Sequence, residues 1–458
     1  MEQKIINEMI NIDEPILVDN SIQSFKYLDY IPQNLADING INNLINIDIQ
    51  ACDNFLVPSE SQILIEGQLL RDDDQPFGVA DEITLVNNAM MYMFRYIELE
   101  VGTEKVESID NPGQTTSILG YLSYPDDFNS SSGMSLCWSK DTTDNANSQK
   151  YNTSGAIAAG GAVPAFTPQE IATYNEGFHK RKLFLNSSNP RGLFSFCIPF
   201  SHIFGFSEYG KYIYNTKMSL KFSRETDTIP IHKANALNRT GKIRLNKITW
   251  RIPEIQIAPE DRTHAINKIV SGKDIPVSYT RRTCYKKELV ANVTSDLWRT
   301  SVTSGVDKPR WVIVAFQTDR HTNQNQNPAV FDNVDLKEAC LELNSEKYPK
   351  DSNTIDFNRN DIARWYNSLD KFKKEYYGYN SLIGGTQITP LSFKNMFPFL
   401  VFDVRRQPEQ LRSGVADMTL KFKFGTAVPA NTHVYAIVLS DSLYYMSADG
   451  QRMILQRK

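Results

Sequence analysis

The stretch Ile243-Arg244-Leu245-Asn246-Lys247-Ile248-Thr249-Trp250-Arg251-Ile252-Pro253-Glu254-Ile255-Gln256-Ile257 decides how the chain reads. Its apolar residues fall at 243, 245, 248, 250, 252, 255 and 257, close to a period of two. That period marks a strand with one face on a core. Pro259 follows, and beyond it the same style of chain starts again. The stretch therefore reads as the strand that closes a first half.

Upstream, Ile45, Ile47 and Ile49 alternate with polar residues, and Ile63–Leu70 reads as a second strand. Glu82–Val101 divides in two: its first half suits a short helix and its second half alternates as a strand. Gly102-Thr103 then reads as a hairpin turn before Lys105-Val106-Glu107. Leu193–Ile198 and Met218–Phe222 complete the first set. Downstream, the predicted strands are Cys284–Val290, Trp311–Gln317, Val334–Asn344, Phe399–Val404, Asp417–Phe424 and Val434–Leu439. Asp361–Asn380 is a helical interlude, with Ile362, Trp365, Tyr366, Leu369 and Phe372 at helical spacing and Gly384-Gly385 as a stop signal.

Each half carries one long excursion. Residues 129–166 are small, polar and rich in Gly, Ser and Ala, and they predict a long exposed loop from which no core can be built. Residues 345–398 form the second excursion. Many short strands joined by turns indicate β-sandwiches. Strand propensity alone does not separate a jelly roll from an immunoglobulin-type sandwich, but the long excursions favour the jelly roll. The predicted fold is thus all-β: two consecutive jelly rolls with long insertions and a short helical segment in the second. The expected organisation is an N-terminal arm over 1–43, a first roll over 44–258 and a second over 259–458.

Length agrees. The chain has 458 residues, and all-β domains often run to about 200–250 residues as one unit. The arm opens with Ile5, Ile6, Met9 and Ile10 on one helical face, and Glu2, Glu8, Asp13, Glu14 and Asp19 face only Lys4. Two readings stand for it: an arm that packs on a neighbouring subunit, or a frayed terminus that packs on its own domain. Met1 to Asn20 has neither a basic n-region nor an apolar h-region, so no signal peptide is expected there. No stretch approaches the ~18 apolar residues of a membrane span.

The charge balance, 49 Lys+Arg against 53 Asp+Glu, gives a net charge of -4. Coating nucleic acid usually takes a basic surplus, because each neutralised phosphate releases a counterion. Neither direct packaging of nucleic acid nor sequence-specific nucleic-acid binding is expected. The clusters His179-Lys180-Arg181-Lys182, Arg281-Arg282, Lys286-Lys287 and Arg405-Arg406 read first as a solvated or intersubunit face, and second as a surface facing nucleic acid or another protein.

Chemistry is sparse. Cys52, Cys137, Cys197, Cys284 and Cys340 are far apart, odd in number and without a CxxC, which predicts free thiols. None of His179, His202, His232, His264, His321 and His433 is paired at metal-ligand spacing, and each is expected at a surface or interface. There is no GxSxG and no GxxxxGK[ST]. The acidic turn Asp72-Asp73-Asp74 lacks the ligand spacing of a calcium loop. No catalytic residue, cofactor site or metal site is assigned, and the chain is expected not to be an enzyme.

The order of segments resembles the double jelly-roll major capsid proteins of polinton-like and adintovirus-like DNA viruses, in the adenovirus-hexon lineage. Leu44–Leu70, Leu85–Val101 with Glu104-Lys105-Val106, and the Tyr-rich Ile118–Tyr124 carry the first part of the likeness. Asn175-Glu176-Gly177, His179-Lys180-Arg181, Phe194–Phe206 and Gly241–Pro259 follow in family order. In the second half the matching segments are Ile275-Pro276-Val277, Pro309–Phe316, Asn327-Pro328, Phe331-Asp332-Asn333, Phe399–Val404, Lys421–Val428 and Val434–Leu439. Two departures stand out: Phe402-Asp403-Val404 replaces the family's F-D-L, and Arg405-Arg406-Gln407-Pro408 is more basic than the family pattern. The resemblance implies a structural subunit whose homotrimers form pseudo-hexagonal, hexon-like capsomers in an icosahedral virion, assembled inside the host cell. Its implied partners are neighbouring capsomers and penton and minor capsid proteins. A penton or minor capsid protein and a non-viral carbohydrate-binding β-sandwich are the alternatives.

Overall fold

The computed structural model describes residues 21–34, 38–149, 173–271, 273–301, 308–344, 346–379, 386–407, 417–449 and 452–457. The helical face expected over Met1–Ile12, residues 150–166 of the first excursion and the Gly384-Gly385 stop lie outside them.

The described residues of the first half form twelve strands: β1 (Ile22–Tyr30), β2 (Leu44–Ile49), β3 (Phe55–Leu56), β4 (Gln62–Arg71), β5 (Ile83–Leu85), β6 (Phe94–Val101), β7 (Glu104–Asp110), β8 (Leu193–Pro199), β9 (Ile213–Tyr214), β10 (Met218–Arg224), β11 (Ile231–Lys233) and β12 (Gly241–Ile257). They build a six-stranded sheet in the order β8-β4-β12-β3-β9, with β1 also on β12. A four-stranded sheet runs β2-β10-β6-β7, and β11 and β5 form a small ribbon. The second half contributes β13 (Ile275–Glu288), β14 (Ser295–Ser301), β15 (Lys308–Thr318), β16 (Leu336–Leu343), β17 (Glu346–Tyr348), β18 (Leu400–Asp403), β19 (Asp417–Phe424), β20 (Thr432–Asp449) and β21 (Arg452–Gln456). Its sheets run β13-β20-β15-β18, with β21 on β20, and β14-β19-β16-β17. The fold is a double jelly roll.

Alternation explains the layers. In β2, Ile45, Ile47 and Ile49 point inward and are buried. In β12 the predicted apolar set lines the same core, with Trp250 fully enclosed. In the second roll Phe316 of β15 meets Phe422 of β19 edge-on, at 5.2 Å between ring centroids, so the two sheets close on each other. The Gly102 turn is present at φ +69, a left-handed conformation that glycine adopts without Cβ strain, and it joins β6 to β7.

Four features depart from the sequence reading. A strand precedes Leu44: β1 pairs with β12 from Ile22↔Ile257 to Tyr30↔Trp250. It lies largely open to solvent, so its sequence lacks the one-sided burial that makes a strand visible. Helices enter the first roll as well as the second, at Pro112–Ser123 and Glu176–Asn186. A helix over Pro259–Val270 links the rolls, begun by a proline at its first turn and by Glu260 and Asp261. Finally, residues 129–149 are not an open loop. Leu136, Cys137, Trp138, Ser139 and Asp141 are buried. Trp138 sits against Gly120 of the Pro112–Ser123 helix, where any side chain would collide with the indole.

Candidate functional site

The two rolls meet along a seam, where buried polar residues cross beside aromatic contacts such as Tyr121 against Phe397 at 4.3 Å. At one end, Glu107 of β7 is fully buried. One carboxylate oxygen accepts the main-chain N–H of Arg282 in β13 at 2.8 Å and that of Gly205 at 3.2 Å. The other accepts the N–H of Phe206 at 3.1 Å. Burial pushes the Glu107 carboxyl above its ordinary value, and the Arg282 guanidinium and the three amides pull against that. Arg282 Nη1 donates to the carbonyls of Ser201, His202 and Ile203 at 3.0 to 3.1 Å. Tyr279 donates to the Val106 carbonyl at 2.7 Å, and its ring meets Phe206 edge-on at 5.3 Å.

At the other end, residues 320–329 of the second roll enter the first. Tyr92 donates to the Pro328 carbonyl at 2.8 Å and Tyr121 to the Ala329 carbonyl at 3.2 Å. Gln324 pairs with both main-chain groups of Gly241, accepting at 2.8 Å and donating at 2.6 Å. Asp141 takes the Arg181 guanidinium at 2.6 Å on one oxygen and Asn327 Nδ2 at 2.9 Å on the other. Arg320 bridges Asp144 of the first roll and Asp332 of its own, at 2.8 and 2.5 Å. These ion pairs hold its guanidinium above its ordinary value although burial opposes them. A buried charge left unanswered is costly, so each of these groups fixes where its partner must lie.

The basic clusters therefore change meaning. Arg181 and Arg282 are buried and internally paired, not part of a solvated or intersubunit face. Lys182 is buried against Glu82 at 2.9 Å. Arg405 contacts Asp403 and Glu375. The histidines change too. His202 and His232 are buried, and burial lowers them to about 3 and about 4. His264 is exposed and His179, His321 and His433 are part-exposed, in keeping with a surface or interface place, and the rings of His321 and His433 meet edge-on at 5.8 Å.

All five cysteines are free, and Cys137, Cys284 and Cys340 are buried. Burial pushes the Cys137 thiol up to about 11 and the Cys284 thiol up to about 12, far from a reactive thiolate. In the acidic turn, Asp73 is held by Arg71 and Arg239, each at 3.0 Å, and Asp74 by Lys242 at 2.8 Å. Among the described residues, no group of three or more His, Cys, Asp and Glu side chains is placed to hold a metal.

Sequence reasoning missed the seam. Its members are single residues far apart in the chain, by 236 positions for Tyr92 and Pro328, and no local spacing announces them.

Residues 164–444 match the family of double jelly roll-like domains. The chain belongs to that family. Solved structures of the same fold accompany it. A chain of the Sputnik virophage structure is 8% identical, covers 99% of this chain and 92% of its own length, and aligns with a TM-score of 0.58. The mavirus major capsid protein is 11% identical, with coverage of 97% and 92% and a TM-score of 0.50. A chain of the PBCV-1 virus capsid is 11% identical, with coverage of 95% and 97% and a TM-score of 0.50. No curated protein matches the sequence. At these identities the likeness is one of fold, and this double jelly roll shares it over nearly its whole length.

Proposed function

We propose that this chain is the major capsid subunit of an icosahedral DNA virus, a structural protein without catalytic activity, and that three copies close into a pseudo-hexagonal capsomer. The seam is the observation that carries the reading. Its buried charges hold two rolls in one register, so each chain supplies two of six equivalent corners. Closing three such blocks into a ring needs a heterologous contact, in which one roll meets a different surface on its neighbour. The mavirus and PBCV-1 likenesses support the reading. Neighbouring capsomers, penton and minor capsid proteins are its partners, the virion its location, the host cell its site of assembly, and the polinton-like and adintovirus-like branch its placement.

Size-exclusion chromatography with light scattering tests it. Three chains of 52.2 kDa give about 157 kDa, and negative-stain images of that species should be hexagonal. A monomer at all concentrations would count against the capsomer.

A further inference from the structure

The second roll carries a cleft that the seam does not use. It lies between the helix Ala363–Tyr377, the edge strand β18 and the chain that follows β17, and it encloses about 600 Å³. Its floor is apolar: Trp311, Trp365 and Phe402 line it, and Trp365 meets Phe402 edge-on at 5.3 Å. Its rim is cationic. Lys350, Arg364, Lys371 and Arg406 stand there against Asp351 and Asp403. Lys371 is answered by Asp403 at 2.7 Å and Lys350 by Glu346 at 3.4 Å. Arg364 and Arg406 are exposed, and among the described residues no carboxylate lies within ion-pair distance of either. Behind the rim, burial and then the like charges of Arg406 and Arg310 hold the Arg405 guanidinium below its ordinary value.

An apolar floor with spare positive charge around it fits an acidic, amphipathic segment, whose apolar side chains enter the groove while its carboxylates meet the rim. The chain contains one. Before Ser21, Ile5, Ile6, Met9 and Ile10 recur at helical spacing, and five carboxylates oppose Lys4 alone. The described chain starts on the six-stranded sheet of the first roll, where the Ser21 carbonyl accepts the N–H of Ala258 at 2.9 Å. The cleft is at β18, the edge strand of a sheet in the second roll. We propose that this cleft is the receptor for residues 1–14 of a neighbouring copy. The inference rests on the capsomer reading, which sets copies side by side and raises the local concentration of each arm.

The test uses the full-length chain with p-benzoylphenylalanine in place of Met9, irradiated and run on a denaturing gel, with peptide mass spectrometry of the product. The expected result is a species at twice the chain mass, with the cross-link in the helix Ala363–Tyr377 or at Trp311. The pair R364E and R406E should lose most of that species. Adding E8K, D13K and E14K to the same chain should restore it, which a general loss of folding would not allow. Cross-links elsewhere, products only at the mass of one chain, or a charge swap without recovery would overturn the docking. Light scattering on the same sample separates the two readings. Trimers with misplaced cross-links remove the arm site alone, whereas the absence of trimers removes the capsomer as well.

Discussion

The Glu107 carboxylate of the first roll accepts the main-chain N–H of Arg282 in the second at 2.8 Å, with both residues buried. Its two oxygens also serve Gly205 and Phe206, so three amides from the two rolls converge on one side chain. Only an acceptor at both ends can satisfy them.

Glu107→Gln tests that geometry. The amide nitrogen would face the N–H of Phe206, donor against donor, while the oxygen keeps Arg282 and Gly205. Leaving a buried donor unsatisfied costs about 1–3 kcal/mol. The pH dependence should change as well. Because burial raises the Glu107 carboxyl above 4.5 in the folded chain, its contribution is fully present below 4.5 and is lost as pH rises through the raised value. The glutamine variant should lack that component. Denaturant unfolding of both proteins at pH 4.5 and pH 7 reads it, and the same change in unfolding free energy between the two pH values in both proteins would remove the claim.

Gly205→Ala should weaken the same contact by sterics alone. A Cβ at Gly205 would run into the Thr280 carbonyl across the seam, and main chain cannot rotate away as a side chain can. Overpacking of this kind costs about 1–3 kcal/mol. Gly210→Ala is the control, since a Cβ there meets nothing within 4 Å. The comparison is the difference in unfolding midpoint between the two, and equal midpoints would contradict the close approach.

What was legible in the sequence was what repeats. Ile45, Ile47 and Ile49, the β12 set and Asp417–Phe424 all have one face on a core, so period two marks them. The helix Ala363–Tyr377 was visible because Trp365, Leu369 and Phe372 fall on one buried stripe. Trp138 was lost in a run of small residues, because average composition hides a single indole. Arg282 looked like half of a solvated pair, yet in a strand alternate side chains point to opposite faces, and Arg282 is the one turned to the core. Glu107, Gln324 and Asn327 gave no local signal, since their partners are brought together only by the docking of the rolls.

His202 predicts acid sensitivity of the opposite sign to Glu107. Its Nε2 lies 3.0 Å from Asn88 Oδ1, and its Nδ1 lies 2.7 Å from the Tyr124 hydroxyl. A neutral ring that donates from Nε2 and accepts at Nδ1 satisfies both partners. Burial, and then the nearby Arg282 charge, lower it from 6.5 to about 3. Its contribution is therefore present above 6.5 and is lost as pH falls towards 3. His202→Gln, which keeps a donor and an acceptor but cannot take up a proton, should flatten the stability profile between pH 6 and pH 4. An unchanged profile would contradict the buried neutral ring.

The seam should also make the rolls unfold as one. Tyr92 and Tyr121 each donate to a carbonyl of the opposing roll, at Pro328 and Ala329. Removing one such hydroxyl costs about 0.5–1.5 kcal/mol. The aromatic rings would remain and both cores stay packed, so Y92F with Y121F reduces coupling between the rolls, with Asn87 Nδ2 also losing its acceptor on Tyr121. Calorimetry should give one transition for the wild type and two for this pair combined with E107Q. Ile47→Val, a core change in the first roll away from the seam, should lower the stability by about 0.5–1.5 kcal/mol and shift the transition without splitting it. A capsomer built from six rolls needs each pair to behave as a rigid block, so a wild-type chain that already melts in two steps would contradict both the seam and the assembly drawn from it.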